Sequence, residues 1–236
     1  RRTAFGVEDR NRLADYVSSR IALAGGTPLN ARDLEGQFRL LRNNQLFEDV
    51  SADLLRGEQP GASVLEVTVE EANAFQGNIR TDTQSSLSVG RYRYGATLQY
   101  LNLTGLGDRF SASADLTTTG GSKSYELAYE VPISPMDGSV LLRFAPSNFR
   151  ITNLSATSTR LPSSGSSDIY EVAVRQPLIR TFDEELALSL GFRYRDGSTV
   201  LAGIVTPPIE TSVFTFGQDY RRRDAQGAWA LRSEFR

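Results

Sequence analysis

The chain has 236 residues, 39% of them apolar, which is enough for one large or two modest domains with a buried core and too apolar for a disordered chain. A net charge of −2 provides no basic field to draw it onto nucleic acid, so no nucleic-acid partner is expected. With no cysteine and no histidine, it lacks disulfides, thiolate or imidazole metal ligands, the commonest general base and the thiol nucleophile; no cofactor, no metal and no enzymatic activity are expected.

No secretory leader is read at the N-terminus, and no apolar run approaches the ~18 residues of a spanning helix. That says nothing against a membrane β-barrel, which gives no such run.

In chain order, Leu13, Tyr16, Val17, Ile21 and Ala24 recur at helical spacing, and the Gly25-Gly26 pair ends the pattern, predicting an amphipathic helix over residues 8–24. A second helix follows, with Asn30 as its cap, Asp33 in the first turn near the positive end of the dipole, and Leu34, Phe38 and Leu41 on one face. It ends near Asn43-Asn44. Two alternating runs come next, Val50, Ala52, Leu54 and then Leu65, Val67, Val69, joined by the turn-rich RGEQPGA. Any strand preceding the helices would lie in or before residues 1–6.

From Phe75 onward helix signals vanish. Nine strands are predicted, at residues 75–83, 90–101, 109–119, 123–131, 139–145, 168–178, 185–196, 212–222 and 227–236. Most approach the ~9–11 residues that a tilted strand needs to cross a bilayer. Their connections alternate. NLTGLGD, PISPMDG, RTFDEE and RDAQG are short and fall on the side of the N-terminal helices, whereas two long loops, 146–167 and 197–211, fall on the other.

The two faces of these strands differ sharply. One carries Tyr92, Tyr94, Leu98, Tyr100, Phe110, Tyr125, Leu127, Leu142, Phe144, Tyr170, Val172, Leu188, Phe192, Phe214 and Trp229, with no charge among them. The other carries Arg91, Arg93, Asp115, Glu126, Glu130, Arg143, Glu171, Arg175, Arg193, Arg195, Asp219, Arg221, Arg232 and Glu234. Alternation alone leaves open whether the apolar face meets lipid or a second sheet. Strand length, loop parity and tyrosines bunched near strand ends favour lipid, with the charged set lining a wet lumen.

At this point the residues resemble a family. Residues 26–72, GTPLNARDLEGQFRLLRNNQLFEDVSADLLRGEQPGASVLEVTVEEA, are similar to the barrel-proximal polypeptide-transport-associated (POTRA) domain of two-partner-secretion transporters, the hemolysin secretion/activation proteins. TDTQSSLSVGRYRYGATLQYLNLTGLGD resembles that family's passage into its barrel, and YEVPISPMDG and VRQPLIRTFDEELALSLGFRYRDGS resemble its next inner hairpins. Two departures stand out: Asp82-Thr83 replaces the family's usual Asp-Asn, and the Val-Arg-Gly-aromatic motif of its pore loop is absent, Arg56-Gly57 being in the wrong context.

The resemblance implies an α+β POTRA domain over residues 1–74 and the N-terminal part of an outer-membrane antiparallel β-barrel over 75–236. Nine strands make that barrel incomplete, since single-chain bacterial barrels have even numbers; the chain reads as part of a longer protein. It implies transport of a secreted exoprotein client across the outer membrane by a monomeric, lipid-embedded barrel, with the POTRA domain in the periplasm. The strand edge at Val50, Ser51, Ala52, Asp53 and Leu54 is the candidate client-binding site, by strand addition; an ordinary edge guarded by Asp49 and Asp53 is the alternative. An insertase of the same superfamily and a soluble β-sandwich binding module are the rival functions. Gly105-x-Gly107 reads as a tight turn rather than a phosphate loop, SSGSSD as a flexible loop, and Asp183-Glu184-Glu185 as a solvated turn with a hard-cation site as the alternative.

Overall fold

The computed structural model describes residues 11–26, 30–57, 63–151 and 162–236. Residues 1–6, the place for any preceding strand, lie outside them, as do residues 8–10 of the predicted first helix.

The N-terminal unit forms where the spacing places it. Helix α1 (Asn11–Ala22) and helix α2 (Ala31–Arg42) are followed by strands β1 (Phe47–Arg56) and β2 (Ser63–Glu71), which pair antiparallel with Val50 opposite Val69 and Ala52 opposite Val67. The Asn30 side chain accepts the Arg32 amide at 3.1 Å and caps α2, leaving Asp33 in the first turn to favour the helix dipole. All five apolar positions of the first helical stripe are buried, together with Leu41, Leu46, Phe47, Val50 and Val67. The β1 alternation is only partly used. Val50 faces the core, but Ala52 and Leu54 are exposed, because the far half of the β1–β2 hairpin extends past the helices.

The rest of the described chain is one antiparallel sheet. Strands β3 (Phe75–Asp82), β4 (Arg93–Leu101), β5 (Arg109–Thr117), β6 (Ser122–Pro132), β7 (Ser139–Arg150), β8 (Ser163–Arg180), β9 (Glu184–Leu201), β11 (Ile209–Asp224) and β12 (Gly227–Phe235) pair in sequence order, and the short β10 (Ile204–Val205) folds back on β9. All nine expected strands are present and each pairs with its neighbours in the chain.

Three boundaries depart from expectation. The strand expected from residue 90 begins at Arg93 instead, because the Thr117 and Thr119 hydroxyls donate to the Val89 carbonyl at 2.8 and 2.6 Å and Gly90 turns the chain with φ +112. Segment 146–167, expected as a loop, contributes strand at both ends, with Pro146 opposite Asp168 and Phe149 opposite Gly165. Segment 197–211 does the same, pairing Gly197 with both Ser167 and Ile209. Small Ser and Gly side chains give these stretches a loop composition, although their backbones complete the ladders of β7 to β11.

One irregularity interrupts the β8–β9 ladder. Pro177 has no N–H to give it, and the register shifts between Pro177 and Ile179. A one-residue slip exchanges the faces of a strand, so Arg180 comes to lie opposite Glu185 on the charged side.

Candidate functional site

No second sheet covers the apolar face among the described residues. Leu98, Leu190, Phe214 and Leu231 are 49%, 60%, 69% and 69% exposed, and the tyrosines at 92, 94, 125 and 170 are exposed beside them. Aromatic rings continue laterally from strand to strand, Phe144 on Tyr170 at 4.9 Å and Phe192 on Phe214 at 4.8 Å. A predominantly apolar surface of this extent, running across the sheet, is out of place on a water-facing face and suits hydrocarbon.

The opposite face is a chain of ion pairs. Arg93 reaches Asp82 at 2.8 Å and Arg80 reaches Asp115 at 2.6 Å. Arg143 bridges Glu126 at 2.7 Å and Glu171 at 3.1 Å, and Glu171 also takes Arg193 at 3.0 Å. Arg109 pairs with Glu130 and Arg175 with Glu185, which also meets Arg221 at 3.1 Å; Asp219 takes Arg232 at 2.6 Å, and Glu234 takes Arg236 at 2.7 Å. Such surface pairs, screened by solvent, add little stability. Their consequence is chemical: a polar wall most of whose charges neutralise one another.

Of the fourteen residues expected on this wall, twelve join the pairing network. Arg195 instead donates to the Ser167 hydroxyl at 2.8 Å. Arg91 lies in the bend ahead of β4 and forms no ion pair among the described residues. Arg80, Asp82, Arg109, Glu185 and Arg236 belong to the network and were missed, although their side-chain parity in the predicted or adjoining strands would have found them. Small residues leave a recess of about 290 Å³ in this wall, floored by Ala173, Ser189, Gly191 and Gly217. A Cβ on Gly191 would approach the Thr215 hydroxyl to 2.6 Å, and one on Gly217 would approach the Ser189 hydroxyl to 2.4 Å.

The five candidate client-binding residues lie together on β1. Among the described residues β1 pairs only with β2, so its other edge keeps unused main-chain groups, and Ser51 to Leu54 are exposed. Asp49 is engaged by Arg42 at 3.4 Å, leaving Asp53 as the edge carboxylate without an ion pair among the described residues.

Sequence reasoning missed the contact between the two regions entirely. Three of the short turns, 102–108, 133–138 and 181–183, meet the N-terminal unit. Leu101, at the end of β4, is buried within the helical core. Gly107 packs on Tyr16, whose ring lies 2.6 Å from where a Cβ would sit. Asp108 closes that turn fully buried; burial alone would raise its pKa, but bonds from the Thr104 amide and hydroxyl, at 2.9 and 2.8 Å, hold it below the usual carboxylate range. Arg39 of α2 stacks over the Phe182 ring at 5.1 Å. Between the α2–β1 connection and the inner rim of the sheet lies a cleft of about 350 Å³, lined by Asn43, Gln45, Arg109, Glu130 and Arg175.

The family model of the haemolysin secretion/activation proteins ShlB/FhaC/HecB matches residues 61–236. The chain belongs to this family. Among curated relatives it is 27% identical over 188 residues to the outer membrane transporter CdiB of Dickeya dadantii, covering 77% of this chain and 33% of that protein. It is 24% identical over 160 residues to the heme/hemopexin transporter HuxB of Haemophilus influenzae, covering 68% and 28%. The chain thus spans about a third of the length of the curated relatives it matches.

Solved structures agree on the fold. CdiB of Escherichia coli superposes with a TM-score of 0.74 at 18% identity, over 91% of this chain and 41% of that one, and CdiB of Acinetobacter baumannii with 0.68 at 14%, over 99% and 45%. BamA of Haemophilus ducreyi lacking POTRA domains 1–3 is less similar, at 0.55 and 11%, over 84% and 41%. The architecture is therefore a POTRA-type α+β unit followed by an incomplete antiparallel barrel. The soluble sandwich is overturned by the bare apolar face and by this family membership.

Proposed function

We propose that this chain is the POTRA and early-barrel portion of an outer-membrane translocator for a secreted polypeptide, of the two-partner-secretion type. The observation that carries the reading is the pair of faces on one nine-strand sheet, bare apolar on one side and mutually neutralised charge on the other. The apolar face lies in lipid. The charged face lines the lumen, where pairs such as Arg143 with Glu126 and Glu171 keep the wall wet without presenting isolated charges to which a passing chain would adhere.

In this reading residues 1–74 form the POTRA domain, on the periplasmic side, and residues 75–236 begin a monomeric barrel. The short turns that meet the POTRA unit are periplasmic, and the opposite ends of the strands face outward. An extended client pairs with the open edge of β1 by main-chain hydrogen bonds, which give affinity without demanding a sequence. The insertase reading rests on the weaker BamA likeness alone. Translocation of this kind involves no catalysis and requires no cofactor.

Successive N–H groups along a strand point to alternate sides, so prolines placed separately at Ser51 and Ala52 remove one outward donor and one ladder donor. In the full-length protein, the substitution that spares the β1–β2 ladder is expected to cut client binding and secretion while the barrel still inserts and conducts ions. Ala52→Ser keeps the donor and is expected to behave as wild type. Undiminished secretion with both prolines, in a folded protein, would remove β1 from the path.

A further inference from the structure

Asp137 sits at the tip of the β6–β7 turn in the left-handed region, φ +60, a conformation that a short acidic side chain tolerates. The turn is tied by the Asp137 amide to the Ser134 carbonyl at 3.1 Å and by the Gly138 amide to the Ser134 hydroxyl at 2.9 Å. This aims the carboxylate at two arginines from different regions of the molecule. Arg20 of α1 donates to Oδ1 through Nε at 2.9 Å and Nη2 at 2.5 Å, and Arg180 meets Oδ2 at 2.5 Å.

Arg20 has no freedom to leave. Its side chain is 7% exposed, its Nη1 donates to the Tyr16 carbonyl at 3.2 Å, and its guanidinium lies 3.4 Å from the Tyr16 ring centroid. Tyr16 itself donates to Asp137 at 3.5 Å and accepts from the Asn44 side chain at 2.8 Å. Arg180 reaches the site only because the bulge after Pro177 turns it to this side. Beside the triad, Leu101 and Gly107 of the barrel fill the same apolar core as Tyr16 and Leu46.

We infer that Asp137, Arg20 and Arg180 are positioning residues that join the POTRA unit to the barrel as one rigid body, so that the joint stays closed throughout transport. Two regions that only touched would meet through a polar, separable surface. Here one core is shared, and parting the regions would strand a buried guanidinium without its carboxylate. The joint holds the α2–β1 connection against the barrel rim, so the cleft between Asn43, Gln45 and Arg109 keeps one geometry. The transport role of the joint rests on the translocator reading above; its rigidity does not.

The test uses the full-length transporter with any other cysteine removed, carrying spin labels at Glu66 on β2 and Gln226 in the β11–β12 turn, both exposed. Wild type is expected to give a single narrow distance distribution. Asp137→Asn and Arg20→Gln are expected to broaden it at least twofold and to lower secretion several-fold, while the barrel remains inserted. Arg42→Gln, which opens only the exposed pair with Asp49 from the α2 side, is expected to change neither.

If the Asp137 variant fails to insert, the wild-type background decides. Cysteines at Leu23 and Met136, which line one cleft across the joint, are bridged by a short thiol cross-linker. Secretion within twofold of the unbridged protein supports a closed joint; a block shows that it must open and overturns the inference. Distances are read without client, so a protein that does not secrete leaves the joint standing, whereas a broad wild-type distribution in a secreting protein sinks the joint alone.

Discussion

The POTRA unit and the barrel sheet place equally apolar residues in opposite settings, one enclosed and one bare. In the first, Leu13, Val17, Leu41 and Val67 are buried at 2–3% exposure in a core closed by two helices and a hairpin. In the second, equally apolar residues such as Leu98 and Phe214 stand on the open side of the sheet, and its polar residues pair with one another on the other. Periodicity identifies a face; what that face meets is decided by whether anything in the chain is left to cover it. The POTRA unit has helices for its sheet, and the barrel strands have none among the described residues.

The sharpest way to break this comparison is to delete the same side chain in each region. Leu41→Ala removes packing from a closed core and is expected to cost ~2–5 kcal/mol in the unfolding of the POTRA unit. Leu98→Ala, on the bare apolar face, leaves no cavity that hydrocarbon could not fill if that face lies in lipid as proposed, and its effect is expected to be several-fold smaller. Urea titration of the detergent-solubilised protein, followed by a probe in each region, measures both. Equal losses would mean that Leu98 is packed against protein.

Charge sharpens the comparison within the sheet itself. Arginine at Leu98, on the bare apolar face, is expected to destabilise the inserted barrel by ~2–4 kcal/mol if that face lies near mid-membrane as proposed. Arginine at Thr97, one residue away and on the charged face, is expected to be mild. Heat-modifiability on gels ranks the two; similar damage at both would mean that neither face is wet.

A third substitution probes the seam. Asp108→Ala removes the fully buried carboxylate that accepts from the Thr104 amide and hydroxyl at 2.9 and 2.8 Å, at an expected cost of ~1–3 kcal/mol. Because its pKa is held low, the carboxylate's contribution is present above the unfolded value near 3.8 and is lost as pH falls through the lower folded value. Acid unfolding of wild type and Asp108→Ala is therefore expected to converge as the pH drops.

How much of the molecule was legible depends on what each feature rests upon. Helices α1 and α2, the cap at Asn30 and the order of the strands rest on local spacing, which the sequence displays directly. Twelve of the charges that pair along one face of the sheet were found by parity alone. The Ser- and Gly-rich extensions of β7, β8 and β9 were not, since residues such as Ser166 and Gly197 carry a loop composition while their backbones pair. The joint was invisible for a different reason. Arg20 and Asp137 lie 117 positions apart, each looks like an ordinary exposed charge, and Arg180 faces them only through a register shift that Pro177 imposes. Contacts created by the docking of two regions leave no period in either.

The smallest expected effect is absent at neutral pH and isolates that joint. Burial, and then the nearby Asp137 carboxylate, push the Tyr16 hydroxyl up to about 12 against the opposing pull of Arg20. Below pH ~10 the hydroxyl is protonated in both folded and unfolded chains, and its contribution to stability is complete. Between ~10 and about 12 the unfolded chain releases this proton while the folded chain retains it, so stability falls with rising pH until the folded group also ionises. A phenolate there would face Asp137 at 3.5 Å and loosen the contact between α1 and the β6–β7 turn. Tyr16→Phe has no proton to lose. The difference in stability between wild type and Tyr16→Phe, measured in detergent from pH 9 to 12, is thus expected to be constant below pH ~10 and to shrink above it, the other tyrosines cancelling in the subtraction. A difference that stays flat across the whole window would mean that Tyr16 is not buried against the carboxylate, and that the two regions meet more loosely than Arg20 and Asp137 imply.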